Sequence, residues 1–250
     1  MKKAFRIVAA ALAAAPVMAR ASTTIGVMPS YFEGTFGTPN TTRIWYVPAY
    51  LDYRSNTYGF KITVPYLQVQ TKGAVFSGGT VVGSRGGKVT TASGLGDIWL
   101  KGTYTLQGRN GVEFLPYAKI KLGTASASQG LGTGQDDAEG GIEADWIMGP
   151  RTFPFASIGY RFVGSTVAYP LQNILTYQAG SSFGLGGQRF LTALFTGHQS
   201  EQVGFPASAD AVLAWNYSPR RGPGFETYFD KGLTSGSPDY GVGVGVQDRF

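Results

Sequence analysis

The chain has 250 residues, no cysteine, one histidine, and 21 basic against 15 acidic side chains. Without cysteine, disulfides and thiolate metal sites are excluded. The formal charge of +6 forms no basic stripe, so composition implies no nucleic-acid partner.

Residues 1–21 read as a secretory signal. Lys2, Lys3 and Arg6 form a charged region, Ile7 to Ala15 a short apolar core, and Ala19-Arg20-Ala21 a small-x-small cleavage site before Ser22. Val17-Met18-Ala19 is a second candidate cut. The apolar core is too short for a spanning helix, which needs about 20 residues, and no later segment has a long apolar run. Loss of Lys2, Lys3, Arg6 and Arg20 leaves 17 basic against 15 acidic residues, so the high isoelectric point is largely a signal effect. The remaining domain, 22–250, is then either soluble outside the cytoplasm or a membrane-spanning barrel, since only helices and closed barrels satisfy their backbone in lipid. Abundant glycine, 37 residues, and aromatics, 14%, favour the barrel: glycine suits crowded curved strands, and aromatics supply interfacial girdles.

Amphipathic strands are expected near 23–36, 43–53, 58–71, 94–106, 111–123, 140–148, 153–163, 175–185, 189–197, 209–217, 224–231 and 239–250. About twelve is an even number, as single-chain bacterial barrels have. The first contains Pro29, which interrupts a ladder. In 94–106, Ile98, Leu100, Tyr104 and Leu106 oppose Asp97, Trp99, Lys101, Thr103 and Thr105. In 111–123, Val112, Phe114, Ala118, Ile120 and Leu122 oppose Glu113, Tyr117, Lys119 and Lys121. In 140–148, Ile142, Ala144, Trp146 and Met148 oppose Glu143 and Asp145. The facing of 189–197 and 224–231 stays open. In the last strand Tyr240, Val242, Val244, Val246 and Phe250 alternate with Gly241, Gly243, Gly245, Gln247 and Arg249. A terminal amphipathic strand ending on phenylalanine resembles the last strand of bacterial outer-membrane barrels, which the insertion machinery reads. Asp248 departs from that pattern.

Short connections (55–57, 108–110, 150–152, 186–188, 219–223) alternate with longer ones (73–93, 124–139, 165–174, 198–208). That asymmetry fits short periplasmic turns and longer outer loops. The long ones are rich in Gly, Ser and Thr and read as flexible. Asp136 and Asp137 fall in such a loop. Two adjacent acids supply too few oxygens for a hard cation, so no metal or cofactor is implied.

Two motifs stand out. Ser93-Gly94-Leu95-Gly96-Asp97-Ile98-Trp99 opens one strand; Lys119-Ile120-Lys121-Leu122-Gly123-Thr124 ends another and precedes Gly130-Leu131-Gly132-Thr133-Gly134-Gln135-Asp136-Asp137. Their order and spacing resemble a family of outer-membrane proteins named after the meta-cleavage pathway of phenol degradation, whose members are often called transporters. Gly123 stands where that family has proline, and Ala125 where it has glycine. The resemblance spans about 30–250 and implies an outer-membrane, all-β, antiparallel barrel surrounded by outer-membrane lipid. The family name alone implies aromatic or apolar solutes.

Function is expected on the lumen face. Alternation places Lys61, Asp97, Lys101, Glu113, Lys119, Lys121, Glu143, Asp145, Arg161 and Asp210 there. Asp97 reads either as an inward salt bridge that pins register or as a selectivity element. Eight strands leave room only for side chains, and sixteen to eighteen enclose an aqueous channel. Twelve strands with these charges imply a narrow lumen that passes or binds a small solute, or one closed by its own ion pairs in a purely structural barrel.

An enzymatic alternative rests on His198, Ser200 and Glu201. A serine activated by histidine with an orienting carboxylate is a known arrangement, and the His-x-Ser spacing slightly resembles outer-membrane lipid A deacylases. Those enzymes have Asn after the serine and fewer strands. The simpler reading is an exposed loop histidine and no catalysis.

Overall fold

The computed structural model describes residues 21–72, 74–77, 80–82, 89–220 and 222–250. The expected signal segment lies outside the described residues, apart from Ala21, as do parts of the expected connections 73–93 and 219–223.

Alternating side chains and frequent turn glycines give an all-β chain. Its strands are β1 (Ser22–Val27), β2 (Ser30–Gly34), β3 (Thr42–Arg54), β4 (Tyr58–Thr71), β5 (Val75–Ser77), β6 (Thr80–Val82), β7 (Thr90–Leu95), β8 (Ile98–Tyr104), β9 (Leu106–Gln107), β10 (Val112–Leu122), β11 (Asp137–Trp146), β12 (Thr152–Phe162), β13 (Ile174–Gly186), β14 (Arg189–His198), β15 (Ser208–Tyr217), β16 (Gly222–Gly232) and β17 (Tyr240–Arg249). No helix of the described residues is long and apolar enough to cross a membrane. β1 and β2 form one wall strand interrupted at Met28 and Pro29, where proline cannot donate to a ladder. β7, β8 and β9 form another, bent at Gly96-Asp97. β5 and β6 make a separate hairpin. Twelve wall strands remain.

Neighbours in the chain pair antiparallel around the ring. The last strand returns to the first: Val242 of β17 lies opposite Tyr31 of β2, and Val246 opposite Val27 of β1. The barrel is therefore closed, and no edge is left unpaired.

The two faces differ as the alternation requires. Outward lie Ile120, Ile142, Ile158, Leu213, Val242 and Val244, all exposed. So continuous an apolar surface is unsuited to water and suits lipid. Aromatics gather at both rims. The Tyr31 ring lies tilted against those of Trp45 (5.2 Å) and Tyr240 (6.2 Å) at the long-loop end, while Tyr58 lies opposite Tyr104 at the short-turn end.

The glycines of β17 have a packing reason. A Cβ on Gly241 would sit 2.3 Å from Phe32, on Gly243 2.2 Å from Tyr228, and on Gly245 2.6 Å from the Met28 sulfur. Their bare backbone is the floor on which these inward side chains lie.

Three expectations need correction. The connection after β4 is not wholly irregular: β5 and β6 pair within it, with Phe76, Val81 and Val82 buried. Phe76 N donates to Gly130 O (3.0 Å), so the hairpin packs on the next long loop. Asp137 is not a loop residue; it opens β11 and is buried. His198 is not exposed; it ends β14 on the buried face that carries Thr192, Leu194 and Thr196.

Candidate functional site

β8, β10, β11 and β12 run side by side, and their inward positions carry acids and bases at matched registers. Lys119 stands opposite Lys101 on one side and Glu139 on the other. Glu139 in turn stands opposite Arg161. The ion pairs follow. Arg161 binds Glu139 through Nη2 (2.8 Å) and Nε (2.9 Å), and Glu201 through Nη1 (3.2 Å). Lys121 pairs with Asp137 (2.9 Å) and lies 3.8 Å from Asp97. Lys119 lies 4.0 Å from Glu139 and 3.7 Å above the Trp99 ring, and Arg161 lies 5.0 Å from that same ring. Tyr117 and Thr176 donate to the other oxygen of Glu139 (3.0 and 3.2 Å). Buried charges are ordinarily paired in this way.

The two sequence motifs meet here. Asp97 accepts from Ala125 N (3.0 Å), and Thr124 bridges Gly96 O (3.0 Å) and Ile98 N (3.1 Å). Leu131 packs where a Cβ on Gly94 would stand, at 3.1 Å. The motifs thus fasten the loop after β10 against the inner side of β7 and β8. Asp97 is an inward ion-pair partner of Lys121.

Of the remaining lumen candidates, Lys101 pairs with Glu143 at 3.2 Å. Lys61 lies over the Tyr50 ring at 4.3 Å. Glu113, at the short-turn end, accepts from Gln107 (2.8 Å), and Asp145 of β11 lies opposite Phe155 of β12. Asp210 sits across the barrel on β15 and accepts from Ser208 (3.0 Å). The ten candidates therefore divide between one dense network and scattered positions.

An apolar cluster inside the barrel was not anticipated. Phe32, Ile44, Tyr46, Leu67, Phe155 and Tyr228 are buried in one apolar cluster inside the barrel. Asp52, held by Arg54 (3.0 and 3.1 Å), and the acids Glu139, Glu226 and Asp230 were also missed. Alternation of Glu226, Tyr228 and Asp230 was the available signal. The interior thus combines a charged network on β8, β10, β11 and β12 with an apolar cluster drawn from β2, β3, β4, β12 and β16.

The candidate triad is not assembled. Ser200 Oγ donates to Gln202 O (2.7 Å) and accepts from Gln202 N (3.3 Å), within its own turn. His198 Nδ1 lies 2.6 Å from Gln199 O, and Glu201 is taken by Arg161. Lipid A deacylation is therefore expected to be undetectable in the wild type, and His198→Ala and Ser200→Ala should leave barrel yield unchanged. A wild-type deacylase activity that either variant abolishes would reverse this reading.

No protein-family model and no curated protein matches the sequence. Solved structures do. The chain is similar to the COG4313 outer membrane channel from Pseudomonas putida F1, with a TM-score of 0.72 at 9% identity over 94% of this chain and 97% of that one. It is also similar to the NanC porin, with a TM-score of 0.59 at 7% identity over 90% and 98%. The KdgM porin gives 0.56 at 7% identity over 91% and 99%. At these identities the likeness concerns the fold.

Proposed function

We propose that the chain is an outer-membrane channel that passively moves small solutes, including aromatic or apolar ones, through the barrel lumen. The observation that carries this reading is the closed barrel whose outer face is apolar and whose interior holds a charged network beside an apolar cluster. A closed barrel satisfies its backbone in lipid, and lumen charges set selectivity. The names of the similar structures, a channel and two porins, support the same reading. In it, residues 1–21 export the chain, outer-membrane lipid surrounds it, and the C-terminal strand ending on Phe250 addresses it to the insertion machinery. The ten lumen charges line the solute path.

Conductance in planar bilayers tests this. Lys121 is locked between two acids, so the probes are Lys61→Glu and Lys101→Glu, whose ammonium groups are less enclosed. Under a salt gradient both variants should shift the reversal potential toward cation preference while still migrating differently before and after boiling. A folded barrel with no conductance, or with identical selectivity in both variants, would leave a structural barrel as the answer.

A further inference from the structure

The acids of the inner wall are not treated alike. Glu139 accepts from Tyr117, Thr176 and Arg161, Asp137 from Gly164 N, and Asp97 from Ala125 N. On β16, however, Glu226 (3% exposed) and Asp230 (1% exposed) have no hydrogen-bond partner at either carboxylate oxygen. Asn216, on β15 directly opposite Glu226, is fully buried with both its amide oxygen and nitrogen unpartnered. Buried polar groups are ordinarily hydrogen-bonded and buried carboxylates paired, so three unpartnered side chains on two adjacent strands form a concentrated exception. Lys61 is stacked on Tyr50, 4.3 Å from the ring.

Between the two acids lies Tyr228, on the same face of β16. Its ring is 6.4 Å from that of Phe32, and the two rest on the glycine floor of β17. Strand geometry puts Glu226 and Asp230 about 13 Å apart at their Cα atoms, with the aromatic ring midway. That spacing does not let both acids chelate one small ion. A hard divalent cation needs six or more oxygens in one cage, and no group of three or more acids or histidines suited to a metal occurs among the described residues.

We propose that this wall binds a small organic cation, an ammonium group carried on an aromatic or apolar body. The ammonium donates to Glu226 or Asp230, with the Asn216 carbonyl as a further acceptor beside Glu226. The Tyr228 ring attracts its positive charge, and the apolar body lies against Phe32 and Met28. The inference rests on the lumen reading above and narrows its solute class, but it is measured as equilibrium binding, independently of conduction.

The test uses the full barrel in detergent, titrated calorimetrically with benzylammonium and with its neutral isostere benzyl alcohol. The wild type should bind benzylammonium about tenfold more tightly, the scale of one charge-assisted hydrogen bond. Glu226→Gln and Asp230→Asn should each lower that preference. The double variant should abolish it while its affinity for benzyl alcohol stays the same, with the gel shift on boiling confirming a folded barrel. Equal wild-type affinity for both probes, binding of neither, or a preference retained in the double variant would overturn the site. Conductance of the same preparation separates the two readings: a conducting barrel with no ammonium preference loses the site and keeps the channel.

Discussion

Ile158→Lys is expected to reduce the yield of folded barrel far more than Lys101→Glu on the inner face. Ile158 lies midway along β12, opposite Ile142 of β11 and Tyr177 of β13, and its side chain points outward with 54% exposure. A lysine at the bilayer midplane of a barrel costs about 2–4 kcal/mol, falling toward zero near the interfaces. Snorkelling toward a headgroup is least effective at mid-strand. The measurement is the fraction of protein that runs as the compact species before boiling, compared with Lys101→Glu on the inner face. Phe162→Lys, at the long-loop end of the same strand, should be milder. Equal loss from Ile158→Lys and Lys101→Glu would mean that inner and outer faces have been exchanged.

This contrast was largely legible in the sequence, because each wall strand meets lipid on one side and the lumen on the other. In β10, Phe114 and Ile120 share parity, and Glu113, Lys119 and Lys121 share the opposite one, so the inward row followed directly. β16 was harder for a physical reason. Phe225 and Phe229 point outward while Tyr228 points inward, so aromatic residues stand on both faces and the parity of hydrophobicity cancels. Glu226 and Asp230 were left unassigned as a result. A similar small error hid Glu139 and Asp137: starting that strand at 140 instead of 137 turned two buried partners into loop residues. The hairpin of β5 and β6 was hidden by composition, since its few apolar residues sit among glycine and serine that read as solvated. Partner choice was not legible at all. Arg161 and Glu201 lie 40 positions apart, and the pairing of β12, β13 and β14 brings them together.

That pair makes Arg161 the side chain whose loss should be felt most inside the barrel. It is fully buried and neutralises two carboxylates, one on the neighbouring strand β11 and one in the connection between β14 and β15. Removing one member of a buried ion pair costs about 3–5 kcal/mol, because the remaining charge keeps its desolvation penalty without its partner. Arg161→Ala leaves both Glu139 and Glu201 in that condition, so the boiling shift should occur at a distinctly lower temperature than in the wild type. Glu201 also anchors its loop to the neighbouring one, where Gln172 donates to Glu201 O (2.8 Å) and to Ser200 O (3.0 Å). Freed from Arg161, these loops should open more often, and conductance should rise or fluctuate more. The triple change Arg161→Met, Glu139→Gln, Glu201→Gln removes these three charges together, while Lys119, 4.0 Å from Glu139, keeps its place over the Trp99 ring. It should recover much of the lost stability, since neutral or apolar replacements of a complete buried pair are often tolerated, while the raised conductance persists. Arg161→Ala with an unchanged unfolding temperature and an unchanged current would show that the network neither holds the barrel together nor restrains its outer loops.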